Sequence, residues 1–513
     1  MKTDGGEPND RLSDDDIDLA FLKLASDVVT ACQSYWIGVY RYTNEFMLPY
    51  WTALNAFQST EKEKLVRHHP IESLKDYLEL FQFNLQVAEK GILSSLTGMS
   101  DYHTATAKRA LDALLNSMGM SKGEKFTEFM AKEAALLEKV VYAYPRAIRA
   151  IASEYGFHFE DGGYRKTAET ERFTVYQVLP RNGATVRSKG KPILIIPPYV
   201  LGANILAFLP GENKSYAHAY ADQGIPTYVR VIKDIDTTPA VQTLTGEDDI
   251  LDTRFFCERI KAVHGRSVTL NGFCQGGFIA VAGMLTGELD GLVDALITCV
   301  APMDGTRSKA LIEYLQHLPP RFRDLGYAVK DLPNGNRVVD GKVMSWVYKL
   351  KSMEKEAPVH TFYRDLMMFS SNGGMDFNIS KTAAAINHWL IYDRNDLPED
   401  ITKMSFASYT IPVEKDGTLP FRLFGRTLTF RRLQEKPLPY LICYGKEDDL
   451  VDSAAALVPL DFVKAEVTGF PKGHGAIATS WSNPQSAFAL HKRFADGSRG
   501  PVRFQLDLEE EKK

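Results

Sequence analysis

The sequence predicts an α/β fold built on a mostly parallel sheet, and three observations predict it. Short, wholly apolar runs recur through the second half of the chain. Helical patterns lie between several of them. One run leads into a glycine-flanked cysteine followed by an apolar, Ala-rich stretch. A strand buried on both faces reads as a continuous apolar run rather than an alternation. Strands alternating with helices imply a parallel, doubly wound sheet.

In chain order, residues 1–13 are dominated by Gly, Pro, Asn and Asp and read as a disordered tail. Ser13, followed by Asp16, gives an N-cap signal. From there Ala25, Val28, Val29, Cys32, Trp36, Val39 and Tyr40 keep the spacing of an amphipathic helix. The pattern returns at 78–93, 107–115 and 126–148, so 14–160 is expected to be a helical N-terminal region. Its aromatic run (Tyr35, Trp36, Tyr40, Tyr42, Phe46, Tyr50, Trp51, Phe57) fits packing on the catalytic domain or a second subunit. It also fits adsorption to a hydrophobic surface, where amphipathic rings suit a wet boundary.

Residues 171–179 read as a strand and 181–191 as a Gly- and basic-rich turn. Apolar strands are expected at 192–196, 227–232, 267–270, 295–300 and 438–444, with helices at 215–222 and 250–263. The catalytic core is therefore expected over 165–302 and 435–497. Across 303–434 the alternation stops. Helical runs at 308–317, 361–369 and 379–390 lead into a hairpin-like stretch at 419–432, with Gly425 near its turn. An insertion between two sheet strands is expected to form a cap. Residues 498–513 end in Glu-Glu-Glu-Lys-Lys and read as a solvated C-terminal tail.

Composition excludes several classes. The length of 513 residues suits one large domain plus an extra region. A net charge of −5 carries no basic footprint for nucleic acid. The five cysteines are scattered and odd in number, which excludes a disulfide framework and a C-x-x-C metal site and suits a reducing cytoplasm. The polar, acidic start lacks the apolar core of a signal peptide. The stretch 192–210 is interrupted by Pro197, Pro198 and Gly202 and reads as strand and loop, not as a membrane span. No metal, cofactor, nucleic acid or integral membrane segment is expected.

The chemistry centres on Gly272-Phe273-Cys274-Gln275-Gly276-Gly277, entered by a short apolar strand and left by an apolar helix. This is the G-x-S-x-G nucleophile elbow of the α/β-hydrolase fold, with Cys in place of Ser. Gly272 and Gly276 lack the Cβ atoms that would clash in so tight a turn, and Gly277 lets the helix approach the sheet. A thiol at a helix N-terminus meets a dipole and free N–H groups that favour negative charge. The backbone N–H of Gln275 is an oxyanion donor.

A triad of this fold follows the order nucleophile, acid, histidine. The strand 438–444 is followed by Gly445-Lys446-Glu447-Asp448-Asp449, and Asp448 is the chosen acid, with Glu447 and Asp449 as neighbouring surface charges. His474 lies between Gly473 and Gly475 after another short strand, and alone among eleven histidines has both the order and the setting. The second oxyanion donor is expected in the loop Pro197-Pro198-Tyr199-Val200-Leu201. Prolines cannot donate, which leaves Tyr199 and Val200, and Val200 is favoured.

These residues resemble the polyhydroxyalkanoate synthases, whose lipase-like box G-x-C-x-G-G is matched by Gly272 to Gly277. The resemblance covers about residues 170–495. It includes Pro192-Ile193-Leu194-Ile195-Ile196-Pro197-Pro198, Leu209-Pro210-Gly211-Glu212-Asn213-Lys214-Ser215, Gln223-Gly224, and Cys299-Val300-Ala301-Pro302-Met303-Asp304. The chain departs from the family at Val231-Ile232-Lys233-Asp234, where an aromatic pair is usual. It departs again at Asp449 and Asp452, where His and Pro are usual. The resemblance implies a cytoplasmic enzyme, at the surface of polyester granules, that transfers (R)-3-hydroxyacyl groups from coenzyme A to Cys274 and on to a growing polyester. It also implies a homodimer or a granule-associated partner subunit. The same triad serves a polyester depolymerase or acyl thioesterase with water as acceptor, and a non-catalytic granule scaffold is a third reading.

Overall fold

The computed structural model describes residues 14–64, 70–309, 312, 328–344, 357–370 and 378–508. The readings of 1–13, of the Ser13 cap and of most of 308–317 fall outside them, as do the side chains of Phe46, Tyr50, Trp51 and Phe57. By its internal contacts the chain divides into two compact units. One is Met1–Thr52 with Asn84–Ala150 and Ser352–Ala384; the other is Ala53–Phe83 with Ile151–Lys351 and Ala385–Lys513. The stretch 303–434 is shared between them.

The first unit is helical. It takes parts of two long helices, α1 (Asp14–Lys64) and α2 (Pro70–Ser117), together with α3 (Phe126–Glu138), α4 (Tyr144–Ala150) and the helix Pro358–Ser370. The separate helical patterns at 78–93 and 107–115 are one continuous α2, since no proline between them stops it. Gly38 gives the Phe362 ring room that a Cβ would fill, at 2.6 Å. Buried Glu133 accepts hydrogen bonds from Tyr102 Oη at 2.9 Å and Arg109 at 3.0 Å, which satisfies its charge.

The second unit holds the strands β1 (Tyr164–Glu169), β2 (Phe173–Val178), β3 (Ile193–Ile196), β4 (Thr227–Ile232), β5 (Val268–Phe273) and β6 (Val293–Cys299). Then come the short β7 (Val329–Asp331), β8 (Arg337–Val339) and β9 (Leu397–Pro398), the hairpin β10 (Thr418–Leu423) and β11 (Arg426–Thr429), and finally β12 (Tyr440–Gly445) and β13 (Glu466–Phe470). The main sheet runs β1-β2-β4-β3-β5-β6-β12-β13. β1 and β2 are antiparallel to their neighbours, and the six strands from β4 to β13 are parallel. This is an α/β-hydrolase fold.

Every residue of β3 and β5 is buried, which is why β3 reads as an unbroken apolar run, while β5 also buries the polar Thr269 and Asn271. Between strands lie α5 (Tyr216–Ala221), α6 (Pro239–Gln242), α7 (Gly246–His264) and α8 (Gln275–Thr286). A reciprocal cap between Thr245 and Asp248 starts α7, and Gly265 at φ 68° ends it. The β10–β11 hairpin turns on Phe424 and Gly425, both at positive φ, as a two-residue hairpin loop requires.

Two features differ from expectation. The polar edge strand β1 and the small sheet β7-β8-β9 are too polar or too short to carry a period. Residues 499–508 are not a solvated tail. Val502, Phe504, Leu506 and Leu508 are buried, Thr468 Oγ1 donates to the Arg499 carbonyl at 2.8 Å, and Arg499 pairs with Glu466 at 2.7 Å. The apolar residues at every second position drive this burial, and the charged ending of the sequence masks them. Among the described residues no helix is long and apolar enough to cross a membrane.

Candidate active site

β5 delivers the chain to Cys274, whose backbone stands at φ 51° and ψ −124°, outside the regions a non-glycine residue ordinarily occupies. The turn is closed by Cys274 N–H donating to the Cys299 carbonyl at 2.7 Å and Gly277 N–H donating to the Cys274 carbonyl at 2.9 Å. A Cβ on Gly272 would run into the backbone of Gly277, and one on Gly276 into the carbonyl oxygens of Ile196 and Pro197. One on Gly277 would meet Ala301 Cβ at 2.6 Å. The three glycines therefore permit the close approach of α8, β5 and the end of β3. Cys274 is 6% exposed and caps α8.

β12 and β13 lie side by side in parallel register, and the loops that leave them interlock. Lys446 N–H donates to the Phe470 carbonyl at 2.8 Å and Glu447 N–H to the Lys472 carbonyl at 3.2 Å. This brings Asp448 to His474, with Oδ2 and Nδ1 2.8 Å apart. Asp448 Oδ1 accepts from the backbone N–H groups of Leu450 at 3.0 Å and Val451 at 2.9 Å. Of the three neighbouring acids, Glu447 and Asp449 are exposed and only Asp448 is buried.

The His474 ring edge-packs on Phe273, with centroids 6.3 Å apart. Burial by itself would lower the pKa of this imidazole. The Asp448 carboxylate and the Cys274 sulfur outweigh that, by charge and by hydrogen bonding, and hold it well above the ordinary value. His474 Nε2 is buried and has no hydrogen-bond partner of ordinary geometry among the described residues. Structurally the set is a sulfur, an imidazole and a buried carboxylate.

The loop after β3 comes to the same turn, but not as expected. The N–H of Val200 is engaged: it donates to Gln275 Oε1 at 3.2 Å, as does the N–H of Tyr199 at 3.2 Å. Sequence alone gave no signal for this, because the acceptor is a side chain reaching across from α8. Other supports are equally long-range. Tyr199 Oη donates to Asp249, which is paired in two-pronged fashion with Arg230 at 2.7 and 2.8 Å. Trp389 Nε1 donates to the Leu201 carbonyl at 3.0 Å. The remaining cysteines of the sheet and α7 are core, and Cys299 Sγ lies 3.2 Å from Tyr216 Oη. His218 and His264 are bound by Ser215 and by Tyr228 with the Ser188 carbonyl.

No protein-family model and no curated protein matches the chain. It is similar in structure to a carboxylesterase of the thaumarchaeon Nitrososphaera gargenis (TM-score 0.36, 14% identity, 61% of this chain and 92% of that one). It is likewise similar to an esterase of Rhodococcus sp. ECU1013 (TM-score 0.32, 12% identity, 62% and 94%). A third such structure is a carboxylesterase of Bacillus subtilis (TM-score 0.34, 12% identity, 66% and 92%). The fold itself rests on the strand order and registers given above.

Proposed function

We propose that this chain is a cysteine-dependent acyltransferase, similar to a polyhydroxyalkanoate synthase, that polymerises (R)-3-hydroxyacyl groups from coenzyme A in the cytoplasm. The observation that carries the reading is the junction of three residues: Cys274 on a positive-φ turn, and His474 with Nδ1 held by buried Asp448 and its ring under the influence of the Cys274 sulfur. His474 Nε2 takes the thiol proton, and the sulfur attacks the thioester carbonyl. The backbone N–H of Gln275 faces the oxyanion. Collapse of the tetrahedral adduct expels coenzyme A thiolate, which takes the proton from His474 and leaves an acyl thioester on Cys274. His474 then removes the proton from the hydroxyl of the next monomer or chain end. That oxygen attacks the acyl-cysteine, and the Cys274 sulfur departs and takes the proton back from His474. A thiolate suits both halves, since it attacks thioesters readily and leaves well.

The same relay with water as acceptor would make a thioesterase or depolymerase. Purified protein incubated with 3-hydroxybutyryl-coenzyme A is expected to release free thiol and form oligomer, and Cys274→Ala is expected to do neither. Free hydroxyacid as the sole product assigns water as the acceptor. Turnover that survives Cys274→Ala ends the proposal.

A further inference from the structure

Gln275 is 4% exposed and follows Cys274 at the start of α8. Its Oε1 accepts two backbone N–H bonds, from Tyr199 and Val200, both at 3.2 Å. Two donors converging on one atom identify that atom as oxygen, so the amide cannot be turned end for end. Nε2 is thereby fixed at the opposite corner, where it is buried and has no hydrogen-bond partner among the described residues. A carboxamide nitrogen carries two donors. Native proteins seldom bury such a group unmatched, because its lost hydration is not returned. Among the described residues His474 Nε2, the atom that handles the proton in the reaction above, is likewise buried and outside any hydrogen bond of ordinary geometry, as is Nε of Arg230, the partner of Asp249.

We propose that Gln275 is a specificity-determining residue whose side-chain Nε2 donates to the hydroxyl oxygen on the third carbon of the acyl group. This rests on the acyl-transfer reading and deepens it. The backbone N–H of Gln275 serves the thioester oxygen, and the side chain of the same residue serves the next oxygen along the chain. The clamp on Tyr199 and Val200 aims the carboxamide before substrate arrives, so no rotamer need be fixed on binding. A plain acyl group would leave Nε2 buried and unpaired. A site built to bond a substrate hydroxyl rejects the analogue that lacks it far more strongly than a merely apolar pocket does.

The test is the single-turnover acylation of Cys274 by 3-hydroxybutyryl-coenzyme A and by butyryl-coenzyme A, read as thiol release and as adduct mass. Wild type is expected to favour the hydroxylated substrate by roughly 100-fold or more. Gln275→Met removes both the clamp and the donor. Gln275→Glu keeps an oxygen for the two loop N–H groups but removes the donor. In both variants the preference is expected to fall by about 10-fold or more, because only the hydroxylated substrate loses a partner. A ratio unchanged in both, with both substrates slowed alike, means that Gln275 only holds the loop and overturns the proposal. Loss of preference in Gln275→Met but not in Gln275→Glu also overturns it, since the clamp and not the donor would then be responsible. If wild type forms no adduct on Cys274 with either substrate, the acyl-transfer reading falls, and this inference with it. An adduct whose preference neither variant moves removes only the role of Gln275.

Discussion

The Cys274 turn and the loop after β3 meet at Gln275, yet they are held in opposite ways. From Gly272 to Gly277 the main chain holds itself, through two short backbone hydrogen bonds and three glycines whose missing Cβ atoms let backbone touch backbone. From Tyr199 to Leu201 side chains from four distant places do the holding: Gln275, Asp249 with Arg230, and Trp389. The first arrangement is expected to fail as a whole when any part is changed. The second is a set of separable contacts and can be adjusted one at a time.

The largest expected effect lies on the proposed relay of Cys274, His474 and Asp448. Asp448→Asn should lower turnover on the order of 10⁴-fold while the fold persists, because the amide no longer fixes the imidazole tautomer or balances its charge. It also changes the pH response. The Asp448 carboxylate and the Cys274 sulfur raise the folded pKa of His474. The stabilisation this brings is complete below the unfolded value and disappears as pH climbs through the raised folded value. In Asp448→Asn the folded pKa falls. The stability gap to wild type should thus be fully present below the unfolded value of His474 and should narrow as pH rises to the alkaline side, once His474 has lost its proton in both proteins. A gap that widens with alkalinity would contradict the assignment of charge to this pair. Urea unfolding at several pH values reads it directly.

Gly276→Ala comes next and tests the all-or-none half of the comparison. Its new methyl group would occupy the space of the Ile196 and Pro197 carbonyl oxygens. A cost of about 3–4 kcal/mol is expected, together with loss of iodoacetamide labelling selective for Cys274. A mild, graded loss of both would mean that the turn yields more than its packing suggests.

The same contrast explains what could be read in the sequence. Cys274, its glycines and the strand before it are contiguous, so the turn is a local pattern. Asp448 and His474 each follow an apolar strand, and the chain order of the fold links them. The clamp on Tyr199 and Val200 joins positions 75 and more residues apart through one side chain, and no period or motif encodes it. For the same reason Val200 N–H reads as an open donor in the sequence and is engaged in the folded chain. β1 was hidden because an edge strand has no need to be apolar: four of its six residues, Arg165, Lys166, Thr167 and Glu169, are exposed. Residues 499–508 were hidden by the charges that follow them.

Arg230→Met probes the adjustable half. The side chain lies over the Phe173 ring at 4.2 Å, so Met keeps the packing while Asp249 is left buried and uncompensated. A stability loss of about 3 kcal/mol is expected. Tyr199 Oη would remain as the partner of Asp249, and iodoacetamide labelling of Cys274 should persist in the folded fraction. Replacing Asp249 by Asn in the same background should recover part of the loss, since the stranded charge is then gone. No recovery would mean that the loss comes from the packing of Arg230 and not from the charge it leaves behind.

The smallest effect should come from Trp389→Phe, which removes a single donor to the half-buried Leu201 carbonyl. Water can take its place, so the expected cost is about 1 kcal/mol in stability. Its value lies in combination with Gln275→Met. If the loop is a sum of separable contacts, the two stability changes should add to within about 0.5 kcal/mol in the double variant. A larger coupling would show that residues 199–201 move as one body. The loop would then resemble the Cys274 turn, and the contrast between them would be one of degree.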